Sequence, residues 1–450
     1  MISNELFTSE QDTPLLSSGS RTLTRASFWQ EVRRLEGLLR PMDPPPEGFI
    51  IINETDPLRF FTSLFALWDL GLKVSLPTED FVKGIKDYGF YRSSLSFDGD
   101  EPRLTQVRGS VSMPGLDRGD MILFSSGSTG AQKGIMHLRE NLLENAMAVN
   151  EVLGLASYSS ITMLKPYLVS AISHFLVHYI SGSHLRFLDL GELEAIDSYY
   201  DEDNACGIVG SPVHLMMAAS KTSASRKPAL FFSSGDFIYS SSIKRILGKF
   251  PGAVFYKAYG LAELAGRFFI NRIDSGTPEA GMDALGGNIP GTSYAVREGQ
   301  IYASSDYLFS GYLIGEDFVP ATREHPTGDL VKQEGGRLVL SGRLSDEIKV
   351  GGNKISLKYI ESQASSVLKD DIVVVIAQPH ELLGNLICMV LYTQHRDKSR
   401  NGLMKQLREV LRSHELPHYY YYIDELPYTQ SMKVDRKEIA RNLKSLDPIE

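Results

Sequence analysis

Between residues 48 and 76 the chain spells out one unit of an open sheet. Gly48-Phe-Ile-Ile-Ile52 is a β-branched run, Asp56-Pro57 opens an apolar-periodic stretch from Phe60 to Leu70, Gly71 closes it, and Leu72-Lys-Val-Ser-Leu76 follows. Asp56 has the side chain of an N-cap, Pro57 suits the first helical position, and Gly71 suits the turn that ends a helix. Strand, helix and strand in that order predict a parallel pair with a covering helix, because a parallel connection needs a crossover. Strand-like runs recur at Asp120-Met-Ile-Leu-Phe124, Cys206-Gly-Ile-Val209, Ala229-Leu-Phe-Phe232, Ala253-Val-Phe-Tyr256, Leu338-Val-Leu340 and Asp371-Ile-Val-Val-Val-Ile376, mostly at helical spacings. Tyr419-Tyr-Tyr-Tyr422 reads as an aromatic strand, whereas residues 85–115, with scattered Gly, Ser, Asp and Pro, read as an irregular connection.

The fold class expected is α/β. A large N-terminal domain, 1–344, would carry mostly parallel sheets and helices plus a β-rich part, and 345–450 would form a small α+β lid. The boundary follows a Gly- and Pro-rich stretch of hairpins that ends at Gly342-Arg-Leu-Ser345. At 42% hydrophobic residues the 450-residue chain can bury a large core, which excludes a disordered scaffold. A net charge of −9 without any Lys/Arg-rich block weighs against nucleic acid as a partner. Two cysteines, Cys206 and Cys388, exclude a disulfide framework. The acidic start lacks the basic and apolar regions of a signal peptide, and no apolar run approaches a membrane span, so a cytoplasmic protein is expected.

Directly after the strand at 120–124 stands Ser125-Ser-Gly-Ser-Thr-Gly-Ala-Gln-Lys-Gly134, with three glycines, four hydroxyls and one lysine in ten positions. Glycines let backbone N–H groups approach phosphate oxygens, hydroxyls add uncharged donors, and Lys133 can neutralise a polyphosphate. Ser125, Ser126, Gly127, Ser128, Thr129, Gly130 and Lys133 are the resulting nucleotide-binding candidates. Gln132 before the lysine and Gly134 after it break the GxxxxGK[ST] spacing, so a Walker-type NTPase is disfavoured.

This loop resembles the [ST]-S-G-S-T-G-x-P-K-G signature of the adenylate-forming (AMP-binding) superfamily, which includes acyl-CoA and aryl-CoA synthetases, acyl-carrier-protein ligases, peptide-synthetase adenylation domains and luciferases. Tyr259-Gly-Leu-Ala-Glu263 resembles the family's Y-G-x-[TS]-E, which implies that Tyr259 stacks on adenine beside Gly260 and that Glu263 holds Mg²⁺. Ser233-Ser-Gly-Asp-Phe237 takes the place of the adenine loop, with Gly235 in it, and Gly210-Ser-Pro-Val213 is similar to the turn bordering the acid pocket. Thr327-Gly-Asp-Leu330 matches T-G-D-L, whose aspartate, here Asp329, accepts from the ribose hydroxyls. Gly342-Arg-Leu-Ser-Asp-Glu-Ile-Lys-Val-Gly-Gly-Asn-Lys-Ile-Ser356, with Tyr359-Ile-Glu361 after it, resembles the hinge segment and its closing I-E, and is the most specific match. It implies a nucleotide contact from Arg343, a hinge at Ser345 and a thiol channel at Gly351-Gly352. Leu426-Pro-Tyr-Thr-Gln-Ser-Met-Lys-Val-Asp-Arg436 is similar to L-P-x-T-x-x-G-K-V-D-R and assigns the catalytic lysine to Lys433.

The resemblance implies two half-reactions. A carboxylate and ATP, with Mg²⁺, give an acyl-adenylate and pyrophosphate, and a phosphopantetheine thiol of CoA or of a separate acyl carrier protein then displaces AMP. Amino-acid-activating relatives usually carry an aspartate in the segment written here Lys165-Pro-Tyr-Leu-Val-Ser-Ala-Ile-Ser-His174, and none is present. An unpaired buried ammonium is costly, so an aryl or fatty acyl acid is expected. The resemblance to acyl-CoA synthetases also implies a histidine near Val169, for which His174 is either a substitute or, the favoured reading, a helix residue. Two alternatives remain: a stand-alone amino-acid adenylating enzyme, and a degenerate relative that binds nucleotide or acyl ligand without turnover. The second is motivated by the departures at Gln132, Ala262, Ser345 and Met432. Retention of Lys133, Glu263, Asp329, Arg343 and Lys433 argues against it, since binding alone does not need the whole charged set.

Overall fold

The protein is described from a computed structural model, which covers residues 12–44, 48–76, 91–107, 115–125, 133–155, 158–200, 205–314, 317–368, 371–393, 396–429 and 433–450. The unit at its start forms as expected. Strand Phe49–Ile52 leads into helix Pro57–Asp69, and strand Lys73–Leu76 pairs parallel with the first. Asp56 caps the helix by accepting from Arg59 N at 3.0 Å, and Gly71 takes φ +71° just beyond it.

Two large sheets result. In one, strands Val254–Tyr259, Leu230–Ser233, Ala205–Gly210, Tyr158–Thr162, His184–Phe187 and Pro14–Ser18 run parallel in that spatial order, with antiparallel strands Phe269–Ile273 and Arg21–Thr24 flanking them. The other is mixed and centres on Phe49–Ile52, Lys73–Leu76 and Met121–Ser125. Helices Arg25–Leu39, Pro57–Asp69, Arg139–Leu153 and Val169–Ser181 supply side chains to the apolar core that both sheets share. Phe61 and Phe175 stack there at 4.0 Å between ring centroids, and Phe28 meets Phe65 edge to face at 5.2 Å. Each fully buried Phe contributes about 2–3 kcal/mol by transfer out of water. On the opposite face of the first sheet, Ile208, Phe231 and Phe255 pack on Leu215, Ile243 and Ile246. Both faces are thus covered, which explains the near-continuous apolar runs of these strands.

Within 85–115 the described residues 91–107 depart from the expected irregular connection. Strands Tyr91–Asp98 and Glu101–Gln106 form a hairpin with Asp98 opposite Glu101, turning through Gly99 at φ +60°. The signal was Gly99-Asp100, whose glycine at the first turn position supplies the positive φ that a two-residue turn needs. Before residue 48, strands Pro14–Ser18 and Arg21–Thr24 and helix Arg25–Leu39 add to the fold; Thr24 and Ser27 make a capping box at the helix start.

The β-rich part is an antiparallel sheet of Thr292–Arg297, Gln300–Ser305, His325–Glu334 and Arg337–Arg343. After the short turn Leu344–Asp346 come the hairpin Glu347–Val350 with Asn353–Ser356, helix Leu357–Val367, and a four-stranded sheet. That sheet has apolar clusters of its own: Val373, Val375, Ile387 and Met389 pack on Ile360, Leu403 and Leu407, while Val374, Ile376 and Val390 pack on Ile439 and Leu443. Tyr419–Tyr422 is its third strand, as the aromatic run suggested. Among the described residues, no helix is long and apolar enough to cross a membrane.

Candidate active site

The motif residues come from separate strand ends and loops. Ser125 and Lys133 are paired across the hairpin of Met121–Ser125 and Lys133–His137. Ser126, Gly127, Ser128, Thr129, Gly130 and Gln132, which join the two strands, lie outside the described residues, as does Met432. Lys133 starts the second strand, and its Nζ stands 5.3 Å from the ring centroid of Tyr312. The Tyr312 hydroxyl donates to Glu263 Oε1 at 2.7 Å. One phenol therefore stands between the loop's cation and the candidate metal carboxylate. Burial, then the charge of Glu263, pushes the Tyr312 phenol well above its ordinary range, which keeps it a donor.

Glu263 sits in the single turn Ala262–Leu264, held between Tyr259 and Arg267 by an unusual backbone. Ala265 has φ +57°, a left-handed conformation that costs a non-glycine residue about 1–2 kcal/mol. Gly260 passes so close to Gly266 that a Cβ on it would lie 1.7 Å from the Gly266 carbonyl oxygen. His137, buried and neutral because burial lowers it to about 4, donates from Nε2 to the Ala262 carbonyl at 2.7 Å and props the loop from below. The carboxylate donor set fits a hard cation whose other ligands are phosphate oxygens. Among the described residues no group of three metal-ligating side chains exists to hold an ion by protein alone.

Tyr259, Asp329 and Arg343 form a second chain. The Tyr259 hydroxyl donates to Asp329 Oδ2 at 2.6 Å, Arg343 donates from Nη2 to the same oxygen at 3.3 Å and from Nε to Oδ1, and Asp329 N donates to Thr327 Oγ1 at 3.1 Å. The paired register Asp329–Arg343 across adjacent strands fixes this geometry. Burial and then Asp329 raise the Tyr259 phenol well above its usual value; burial opposes the charge of Arg343, and Asp329 more than offsets that.

Lys433 approaches from the C-terminal residues. Its backbone is clamped to Thr429, whose N donates to the Lys433 carbonyl at 2.8 Å and whose hydroxyl accepts from Lys433 N at 3.2 Å. Burial lowers its ammonium, as do Arg343 and Lys358, while Asp236 and Asp329 act in the other direction. The lysine thus lies within electrostatic reach of both the Asp329 chain and the loop after Leu230–Ser233. In that loop Gly235 takes φ +91° and Ser234 N donates to the Gly210 carbonyl at 2.9 Å. Gly210-Ser-Pro-Val213 turns into helix Pro212–Lys221, capped by Ser211. Gly351 and Gly352, at φ +53° and +88°, make the turn of the Glu347–Val350 hairpin, with Gly351 N donating to the Leu383 carbonyl at 3.0 Å. Ser345 lies in the turn Leu344–Asp346.

Sequence reasoning missed three features. Tyr312 carries no motif that the reading used. Arg267 stood in plain view as the one charge in Leu264-Ala-Gly-Arg-Phe-Phe-Ile270. It is 4% exposed. The third is a buried cluster around Glu361, which accepts from Tyr239 Oη at 2.6 Å, from Lys358 Nζ at 2.9 Å, from Val375 N at 3.1 Å, and from Arg436 Nη2 at 2.7 and 2.9 Å. Burial alone would raise this carboxyl; Lys358, Arg436 and Tyr239 together hold it at about 2. Tyr239 precedes helix Ser240–Lys249, so this bond joins the parallel-sheet part to the C-terminal part.

Comparison with known proteins agrees with this geometry. The chain is 25% identical over 374 residues to the D-alanine–D-alanyl carrier protein ligase of Staphylococcus haemolyticus, covering 77% of this chain and 75% of that one. It is 26% identical over 416 residues to surfactin synthase subunit 2 of Bacillus subtilis, covering 84% of this chain and 11% of that much longer protein. Among solved structures, o-succinylbenzoate CoA synthetase from Bacillus subtilis superposes with a TM-score of 0.78 at 18% identity, covering 97% of this chain and 96% of that one. MatB from Rhodopseudomonas palustris gives 0.77 at 17% identity, with 98% of each chain covered. These structural likenesses establish a shared fold. Over residues 92–313 the chain matches the AMP-binding enzyme family.

Proposed function

We propose that this protein activates an aryl or acyl carboxylic acid with ATP and passes it to a phosphopantetheine thiol, of CoA or of an acyl carrier protein. In the first step a carboxylate oxygen attacks the α-phosphorus, and the bond to pyrophosphate breaks. In the second a thiolate attacks the acyl carbon, and AMP leaves. The observation that carries the reading is the gathering of Lys133 and Glu263 about Tyr312, and of Asp329 and Arg343 about Tyr259 with Lys433 in electrostatic reach, all drawn from distant segments.

In this reading Ser126 to Gly130 and Lys133 cradle the phosphates, Tyr259 with Gly260 and Gly235 borders the adenine, and Asp329 and Arg343 hold the ribose. Lys433 offsets the repulsion between two anions as the carboxylate nears the α-phosphate, and its charge serves the pentavalent transition state most. Glu263 would hold Mg²⁺, which supplies charge neutralisation on the phosphates. Residues 345–450 act as a lid on the 1–344 body, turning at Ser345 to withdraw Lys433 and to bring Gly351-Gly352 to the thiol path. The separate apolar clusters of the C-terminal residues support that division. A cytoplasmic setting suits an ATP consumer whose cysteines are buried thiols.

The test is pyrophosphate release with ATP and Mg²⁺ over a panel of aryl, fatty and amino acids, with hydroxylamine as thiol surrogate. Selective release that Lys433→Ala reduces by at least about a hundredfold is expected, since fixed charge at the reacting centre is commonly worth 10²–10³. Full exchange in Lys433→Ala would remove the lysine's assigned role. Silence across the panel with ATP still bound would favour a binding protein without turnover. An amino-acid substrate is the second reading, supported by likeness to a D-alanine ligase.

A further inference from the structure

Ser170, Ser173 and His174 lie on one face of helix Val169–Ser181, at the i, i+3 and i+4 positions that share a face. That face meets Phe232 and Arg267. The His174 ring stands edge-on to Phe232 with centroids 4.8 Å apart, and the Arg267 guanidinium lies 5.4 Å from the same ring. Ser173 borders Gly266, whose missing Cβ would sit 3.4 Å from its hydroxyl. The cluster stands just past strand Leu230–Ser233, four residues along the chain from Glu263. Such strand ends are where open α/β sheets take their ligands.

Arg267 has an unusual balance of partners. Its Nη2 donates to Ser234 Oγ at 3.2 Å and to the Ser170 carbonyl at 3.4 Å, while Nε and Nη1 bond to none of the described residues. No carboxylate among the described residues pairs with it. Two more exposed arginines of this site region differ: Arg343, half exposed, has Asp329, and Arg436, about a third exposed, has Glu361. Burial alone pulls Arg267 down to about 10, so it remains charged at neutral pH. Beside it, Ser173 Oγ and His174 Nε2 are buried without hydrogen-bond partners. A guanidinium carries five N–H donors in a planar fork suited to a carboxylate, and an uncompensated buried charge is strongly unfavourable. An ammonium brought to this place would meet a like charge.

We infer that Arg267, with Ser173 and His174, receives a second carboxylate carried by the substrate, so that the acid activated is a dicarboxylate, aliphatic or aromatic, rather than a simple monoacid or an amino acid. This rests on the acid-activating reading above and narrows it. The distal carboxylate pairs with the free fork of Arg267 and accepts from Ser173, and the other carboxylate is the one presented to ATP. Phe232, which contacts both His174 and Arg267, would pack against the carbon spacer between the two carboxylates.

The experiment compares matched acids on the wild-type protein: succinate with butyrate, glutarate with valerate, phthalate with benzoate, and both alanine enantiomers. Two readouts are taken, pyrophosphate exchange with ATP and Mg²⁺, and the shift in melting temperature with a non-hydrolysable ATP analogue. At least one diacid is expected to exceed its monoacid partner by about tenfold or more, the factor expected of one charge-assisted pair. Arg267→Met should erase that preference, bringing the diacid down to the level of its monoacid partner, and Arg267→Lys should retain part of it. Equal or better use of monoacids or of alanine by the wild type overturns the proposal and leaves acid activation standing. An equal fall for both acids in a folded Arg267→Met protein also overturns it, by making Arg267 structural. Diacid-specific stabilisation without exchange upholds the pocket while refuting the ligase reading, and neither response with any acid refutes both. If Arg267→Met does not fold, Ser173→Ala and the wild-type ratios decide.

Discussion

Removing Arg436 from the Glu361 cluster should cost far more at neutral pH than in acid. Glu361 is 3% exposed and accepts both Nη2 bonds of Arg436, with Lys358, Tyr239 and Val375 N completing its shell. Its carboxyl is held at about 2, below the ordinary 4.5. A native carboxyl so depressed contributes roughly 3 kcal/mol of stability, fully present above about pH 4.5 and lost as pH falls through about 2. Arg436→Met removes the partner with two of the bonds, leaving Lys358 and Tyr239, so the expected cost is about 2–3 kcal/mol at pH 7. At pH 3 Glu361 is almost wholly protonated in the unfolded chain, and the cost should fall to about half or less. Urea unfolding at both pH values, with Glu361→Gln alone and combined, measures this. In the Glu361→Gln background Arg436→Met should cost under about 1 kcal/mol, because no buried anion is stranded. A cost that is equal at pH 3 and pH 7, or unchanged in the double variant, would refute the reasoning.

Three other outcomes follow from the site and the core. Asp329→Asn keeps the shape but loses the acceptor-only charge shared by Tyr259 and Arg343; the KM for ATP should rise about tenfold or more with a smaller change in kcat, read by pyrophosphate exchange. Tyr312→Phe frees Glu263 from its phenol donor, so half-maximal exchange should need less Mg²⁺, and a higher requirement would contradict the idea that the two compete. Phe175→Ala, at 0% exposure and stacked on Phe61, should lower unfolding free energy by about 3–5 kcal/mol.

Much of this was legible in the residues. Asp56, Pro57 and Gly71 mark their helix because capping and left-handed turns are local needs, met by side chains two or three positions away. The motif segments could be ordered along the chain for the same reason. What stayed hidden depends on distance through space. Tyr312 becomes part of the site only because Gly311–Ile314 pairs with Lys133–His137, and Glu361 becomes a junction only because Tyr239 reaches it across a sequence separation of 122. The hairpin at 91–106 was obscured by its polar, partly exposed strands, which dilute the alternation that marks a sheet edge. Arg267 was readable as a charge inside an apolar run, but its lack of a carboxylate partner needed the fold.

The crossing of Gly260 against Gly266 bears on how this protein could be redesigned. Backbone touches backbone there with no space for even a methyl group, so Tyr259, Glu263 and Arg267 are displayed by one stiff loop. On the function proposed above, a library that randomises that loop to change acid choice would disturb nucleotide and metal contacts together. Variation placed on the opposing helix, at Ser170 and Ser173, would reshape the same pocket from a wall that carries neither, and that is the surface from which new selectivities can be evolved.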